Sequence, residues 1–185
     1  MAMKVTHLIS DKVITVENFL TEQECDEFIS LSENLGFEMA KIDIGSLMPE
    51  VRNNDRAFYK STELAEKLFT RLQFHVVPKI GNSNAIGLNE LFRIYKYQKG
   101  QQFKGHQDGS FIRNDVEASY YTFLIYLNDG YEGGETIFLK HKIIPKKGMG
   151  LIFLHKLYHE GGEVLSDIKY VMRSDVMYRL EQNNG

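Results

Sequence analysis

The spacing of hydrophobic and polar residues changes about halfway along the chain. Before residue 88, two stretches carry apolar positions at helical intervals. The first opens at Thr21-x-x-Glu24, a capping box, and continues with Cys25, Phe28, Ile29 and Leu31 on one stripe. Gly36 is a natural stop for it. The second runs from about 62 to 75, with Leu64, Leu68, Phe69 and Leu72 facing inward. Residues 13–20 read as a short strand and residues 81–87 as turn-rich. From residue 88 the runs are short and β-like: 90–97, 120–127, 136–139, 149–154 and 170–178. Glycine-containing turns separate most of them, a spacing that predicts a sandwich, barrel or jelly roll. The expected fold is α+β and mainly β. A helical N-terminal part over about 1–87 packs outside a β core over about 88–180, in one domain of 185 residues.

Composition narrows this picture without redirecting it. Hydrophobic residues make up 43% and charged residues 25%, ordinary values for a globular chain able to bury a core. A net charge of −3 supplies no basic field for nucleic acid or an anionic membrane, so neither is an expected partner. The single cysteine, Cys25, leaves no intrachain disulfide and no cysteine-rich zinc site. Residues 1–10 lack the charged-then-apolar order of a signal peptide, and the most apolar runs, such as 120–127, are too short for a membrane span. A reducing, cytoplasmic setting is expected.

The chemistry concentrates in His106-Gln-Asp108, a later His159, and the cations Lys169 and Arg173. Two imidazoles and one carboxylate bind Fe(II) on one face and leave the other open. On a strand, residues i and i+2 share a face, so His106 and Asp108 are expected to converge. His159 must be brought to them by folding. The same donor set also suits zinc with an open position, and ligand type alone does not choose between the metals. His155, at the end of an apolar strand, rivals His159 as the second imidazole. His7, His75 and His141 read as surface or helix-end residues.

Alternation along 169–178 puts Lys169, Val171, Arg173 and Asp175 on one face. If that face lines a lumen, its charges need partners or a ligand. A carboxylate co-substrate would satisfy them, held by Lys as a point charge or by Arg bidentately. Otherwise the face is solvated, with an Arg173–Asp175 contact. Tyr95 and Tyr97 share a face with Arg93, and Tyr126 ends another strand. Tyrosines half-buried in strands more often pack than bind.

At this point the residues resemble a known family. Arg93-Ile-Tyr-Lys-Tyr97-Gln-Lys-Gly100-Gln-Gln-Phe103-Lys-Gly-His106-Gln-Asp108-Gly109 resembles the first iron motif of prolyl 4-hydroxylase-like, 2-oxoglutarate-dependent Fe(II) oxygenases. Tyr126-Leu-Asn-Asp129 with Gly133-Gly-Glu-Thr136, then Pro145-Lys-Lys-Gly148 through His159-Glu-Gly-Gly162, then Lys169-Tyr170 follow in the family's order. Arg52-Asn53-Asn54 is similar to its N-terminal region.

The resemblance implies a double-stranded β-helix core, a jelly roll of the cupin kind. It implies Fe(II) held by His106, Asp108 and His159, with His159 preferred to His155. It implies 2-oxoglutarate with its distal carboxylate on Lys169, near Tyr97 and Tyr126, and Arg173 as a supporting or alternative grip. Ascorbate is the expected reductant. The implied activity is hydroxylation of a C–H bond coupled to conversion of 2-oxoglutarate and O2 into succinate and CO2. The intact Asp108 favours hydroxylation over halogenation. The substrate is expected to be a prolyl or other protein residue, with a free amino acid or small molecule as the alternative. A non-catalytic metal-binding or sensing protein on the same core stays open. Loop 109–119 is expected to overhang the site, with Arg113 a weak candidate for substrate contact.

Overall fold

The computed structural model describes residues 2–40 and 51–181. Strands β1 (Lys4–His7) and β2 (Val13–Glu17) lead into helix α1 (Glu22–Leu35). Strands β3 (Glu38–Met39) and β4 (Asp55–Lys60) lead into helix α2 (Thr62–Leu72). Then come β5 (Lys79–Ile80), β6 (Ser83–Leu88), β7 (Leu91–Tyr97), β8 (Phe103–His106), β9 (Ile112–Asn114) and β10 (Glu117–Tyr126). The chain continues with β11 (Thr136–Phe138), β12 (His141–Ile143), β13 (Gly150–Leu154), β14 (His159–Gly161) and β15 (Lys169–Leu180). No helix is long and apolar enough to cross a membrane among the described residues.

The strands form two antiparallel sheets. The large one has the order β1-β2-β13-β10-β15-β7-β4-β3, with β6 on β15, β5 on β6 and β9 on β10. The small one has the order β12-β11-β14-β8. Residues from both sheets line one cleft, so the site sits between the layers of a mainly β jelly roll, as expected.

The expected helical N-terminal part needs correction. Two helices are there, but β1 to β6 are there as well. β2 pairs with β13, β4 with β7 and β6 with β15. The first half of the chain therefore supplies strands to the same sheet as the second. Residues 81–87, read as turns, include most of β6. Its Asn and Gly content has low β propensity, which pairing to the long β15 overrides.

Helix α1 begins where its capping box predicts. The Thr21 hydroxyl accepts from the Glu24 amide, and the Glu24 carboxylate accepts from the Thr21 amide. Glu24 also accepts from Arg71 of α2 at 2.7 and 3.0 Å, tying the helices together. Cys25 is buried and Phe28 and Ile29 pack on the main core. α2 stops at Leu72, short of the expected 75, and buries Ala65, Leu68 and Leu72.

Strand alternation then sorts the core from the cleft. Tyr170, Met172, Val176 and Tyr178 of β15 enter the main core with Phe92 and Ile94 of β7. The opposite faces of the same strands present Lys169, Val171 and Arg173, with Tyr95 and Tyr97, to the cleft. Gly148 (φ +79) makes the turn before β13, where a β-carbon would stand 2.3 Å from the Leu20 carbonyl oxygen.

Candidate active site

A cleft opens between the two sheets. Its lining includes His106, Asp108 and His159 at one end and Lys169 and Tyr126 at the other. β14 pairs antiparallel with β8, and His159 stands opposite His106 in the register. That pairing brings the two imidazoles to 4.3 Å between ring centroids across a 53-residue gap in sequence. The convergence of Asp108 has another cause than the expected shared strand face. β8 ends at His106, and Asp108 lies in the irregular segment beyond, its amide donating to the His155 carbonyl at 2.9 Å.

One donor atom from each of His106, Asp108 and His159 lies within 4.8 Å of the others. The two Nε2 atoms approach the carboxylate at 3.6 Å (His106 to Oδ1) and 3.8 Å (His159 to Oδ2). Each Nδ1 faces a backbone carbonyl two residues back, Lys104 at 2.8 Å and Leu157 at 2.9 Å. A proton on Nδ1 satisfies each contact and leaves the Nε2 lone pair directed inward, the tautomer a metal requires. Phe103 stacks on His106 at 3.5 Å, and Phe153 packs on His159 at 4.5 Å, which holds both rings. Burial pushes His159 down to about 4, so it is neutral at pH 7. Burial opposes ionisation of Asp108. Arg173, His106 and the other polar neighbours outweigh it and hold the carboxyl well below the usual range. Two imidazoles and one carboxylate, with an open cleft beside them, fit Fe(II) or a similar divalent ion.

Both carboxylate oxygens of Asp108 are also engaged by protein. Arg173 Nη1 donates to Oδ1 at 2.8 Å and the Thr122 hydroxyl donates to Oδ2 at 2.5 Å. Thr122 belongs to a chain of bonds through His155. The Ser119 hydroxyl meets His155 Nε2 at 2.8 Å, and His155 Nδ1 meets Thr122 at 2.9 Å. His155 is thus buried behind the site and not among the clustered donors. Thr122 was not singled out in the sequence, although it lies four residues before Tyr126 on the same strand face.

Arg173 and Lys169 share a strand face and have different partners. Arg173 Nη2 donates to Asp175 Oδ1 at 3.1 Å, so its guanidinium lies between two carboxylates. Asp175 also accepts from Arg93 and Asn89, each at 3.2 Å. Lys169 is 3% exposed and donates to the Gly134 carbonyl at 2.6 Å. No salt bridge to it occurs among the described residues. Its ammonium lies 5.1 Å from the centre of the Tyr97 ring and 5.8 Å from that of Tyr126. Burial pushes it down to about 8, outweighing the opposing effect of Glu135. Tyr126 shares a 2.6 Å hydrogen bond with Thr136, and burial pushes Tyr97 up to about 12. The expected residues therefore gather in one cleft, with Thr136 added by the structure.

The other candidates have structural partners. Arg113 donates to Glu90 and Glu117 at 2.7 and 2.8 Å, and residues around it form β9 against β10. His7 faces Asp11 at 3.4 Å on the surface. Arg52, not assigned a role from sequence, is buried with its guanidinium over Tyr95 and Phe103 at 4.6 and 4.4 Å.

Residues 92–174 match the 2OG-Fe(II) oxygenase superfamily. Probable prolyl 4-hydroxylase 8 of Arabidopsis thaliana is 29% identical over 136 residues, covering 69% of this chain and 44% of that protein. Prolyl 4-hydroxylase 5 of the same plant matches at 29% identity with the same coverage. The chain thus spans less than half the length of these curated relatives. Among solved structures, the 2OG complex of viral collagen prolyl hydroxylase from Paramecium Bursaria Chlorella virus-1 superposes with a TM-score of 0.65. It is 24% identical and covers 91% of this chain and 97% of that one. A Trichoplax adhaerens prolyl hydroxylase bound to a hypoxia inducible factor peptide gives a TM-score of 0.70 at 18% identity, over 91% and 84% of the two chains. The motif order, the jelly-roll sheets and the His-Asp-His cluster agree with that match, and the chain is similar to these prolyl 4-hydroxylases in sequence and fold.

Proposed function

We propose that this chain is a non-haem Fe(II) dioxygenase. It couples oxidative decarboxylation of 2-oxoglutarate with hydroxylation of a substrate C–H, most simply that of a prolyl residue in a protein or peptide. The balance is one substrate C–H, one 2-oxoglutarate and one O2 giving one C–OH, one succinate and one CO2. The observation that carries the reading is the division of charge in the cleft. A cluster of two imidazoles and a carboxylate stands at one end, and a buried lysine with no carboxylate partner stands at the other. Activation of O2 is the chemistry that Fe(II) and 2-oxoglutarate supply there when bound.

The protein's own share is positioning. His106, Asp108 and His159 are the metal ligands, kept in the binding tautomer by the Lys104 and Leu157 carbonyls. Lys169 is the grip for the distal carboxylate, because Arg173 is already held between Asp108 and Asp175. Tyr97, Tyr126 and Thr136 wall the co-substrate end and exclude water from it. The prolyl reading is supported by the names of the relatives. Ascorbate as reductant and a cytoplasmic location belong to the same proposal.

The test is succinate formation from 2-oxoglutarate with Fe(II), ascorbate and O2, in wild type and His106→Ala, with and without proline-containing peptides. The proposal expects turnover that is lost in the variant, and a peptide product carrying one added oxygen. Zinc retained in preference to iron after anaerobic purification, together with no succinate, would overturn it.

A further inference from the structure

The Thr122 hydroxyl has one proton and two neighbours that could take it. Asp108 Oδ2 lies 2.5 Å away and His155 Nδ1 lies 2.9 Å away. Asp108 is paired with Arg173 at 2.8 Å, and an ionised carboxylate only accepts, so the Thr122 proton lies toward Asp108. The Thr122 oxygen is then left to accept from the ring, and His155 carries its hydrogen on Nδ1. His155 is 2% exposed and its two ring nitrogens bond hydroxyls, an environment that keeps the imidazole neutral. Its Nε2 therefore bears a lone pair, and Ser119 donates to it at 2.8 Å. Ser119 in turn accepts from the Phe111 amide at 2.8 Å. Each hydroxyl gives one proton, so the chain has one direction. It runs from Phe111 to Ser119, to His155, to Thr122 and to Asp108.

His155 holds Asp108 a second time through the main chain. β8 ends at His106, so strand pairing does not reach Asp108. The Asp108 amide donates to the His155 carbonyl at 2.9 Å, and the His155 amide donates to the Tyr120 carbonyl at 2.9 Å. Gln107 adds a bond from its side chain to the Lys156 carbonyl at 2.6 Å. His155 thus fixes the backbone of Asp108 directly and its carboxylate through Thr122. A ring with its hydrogen on Nε2 would make Nδ1 an acceptor, and it would compete with Asp108 for the Thr122 proton.

We propose that His155 is a positioning residue for the metal site: its Nδ1–H tautomer directs the Thr122 hydroxyl onto Asp108 and so fixes the rotation of that carboxylate. His155 is not itself among the clustered donors. The inference rests on the reading of His106, Asp108 and His159 as metal ligands.

Two measurements test it. The first is a long-range proton–nitrogen correlation spectrum of metal-free protein carrying nitrogen-15 histidine, with the His155 signals identified by their loss in His155→Asn. The Nδ1–H pattern is expected, and an Nε2–H or averaged ring would overturn the inference. The second is Co(II) binding, followed by titration and by the visible ligand-field spectrum. It compares wild type, His155→Asn, His155→Leu, Thr122→Val and the double variant His155→Leu with Thr122→Val. The Asn amide can donate from near the Nδ1 position, so His155→Asn should keep an affinity and spectrum close to those of wild type. His155→Leu should weaken Co(II) about tenfold, as Thr122→Val does, and alter the spectrum. The double variant should bind no more weakly than Thr122→Val alone, because His155 acts through Thr122. Losses that add in the double variant, or a His155→Asn as weak as His155→Leu, would overturn the inference and leave His155 a packing role. Wild-type protein that binds no Co(II) would overturn the metal reading and the positioning role with it, a failure distinct from a wrong tautomer.

Discussion

The two ends of the cleft contrast in how their charges are paired. At the metal end, Asp108 accepts from Arg173 and Thr122, and Arg173 is shared with Asp175, which Arg93 and Asn89 also hold. Each charge there has a partner of opposite sign before any ion arrives. At the other end, Lys169 has a backbone carbonyl and two aromatic faces, and burial outweighs the attraction of Glu135. A buried cation without an anion is the arrangement that binding a carboxylate relieves. The comparison teaches that residue type alone does not identify the grip. Two cations on one strand face, four residues apart, have opposite roles because their neighbours differ.

The contrast can be broken most severely at Asp108. Asp108→Ala removes one ligand and leaves Arg173 with Asp175 alone, so metal affinity should fall more than about a hundredfold and turnover should be lost. Metal content after dialysis and succinate assays check this.

Next is the exchange of the two cations. Lys169→Met should raise the 2-oxoglutarate requirement by tens of fold with the metal retained, about the size expected of a charge-assisted bond. Arg173→Met should act in the other direction. It leaves Asp108 without its cation and costs about 3–5 kcal/mol of stability, read by urea unfolding. A larger co-substrate effect in Arg173→Met would move the grip to that residue.

A smaller effect follows from the Lys169 pKa of about 8, depressed from its ordinary 10.5 by burial. The cation is present below pH 8 and is lost above it, so 2-oxoglutarate affinity should fall by up to about tenfold per pH unit as pH rises past 8. Without ligand the sign is opposite for stability. Between about 8 and 10.5 the unfolded chain binds the extra proton, so this residue makes the unliganded fold more stable as pH rises through that window. Lys169→Met should abolish both trends.

The smallest effect should come from the support behind Asp108. Thr122→Val removes the donor to Oδ2 and leaves Arg173 in place, so metal affinity should fall by about tenfold, with co-substrate affinity at saturating metal unchanged.

Much of this arrangement was legible in the sequence where a strict period operates. The alternation of 169–178 placed Lys169, Val171 and Arg173 on one face, and they line the cleft. The order of the motifs selected His159 over His155, and the structure puts His159 against Asp108 and His155 behind Thr122. What was not legible depended on pairing. β4 exposes Phe58 and buries Ala57, so its apolar alternation is blurred, and it exists by pairing with β7. β8 and β14 have only four and three residues, too few for a pattern, yet their register sets the two imidazoles opposite each other. The Arg173–Asp175 contact was readable from strand alternation, but the bonds from Arg173 to Asp108 and from Asn89 to Asp175 join segments that no local spacing relates.

The most direct test of this division is the binding of 2-oxoglutarate to Fe(II)-loaded protein without oxygen, measured in wild type, Lys169→Met and Asp108→Ala. Wild type should bind, Lys169→Met should hold iron but bind 2-oxoglutarate tens of fold more weakly, and Asp108→Ala should fail to hold iron. Wild-type affinity in Lys169→Met would contradict the account, because the unpaired end of the cleft would then not be where the co-substrate is held.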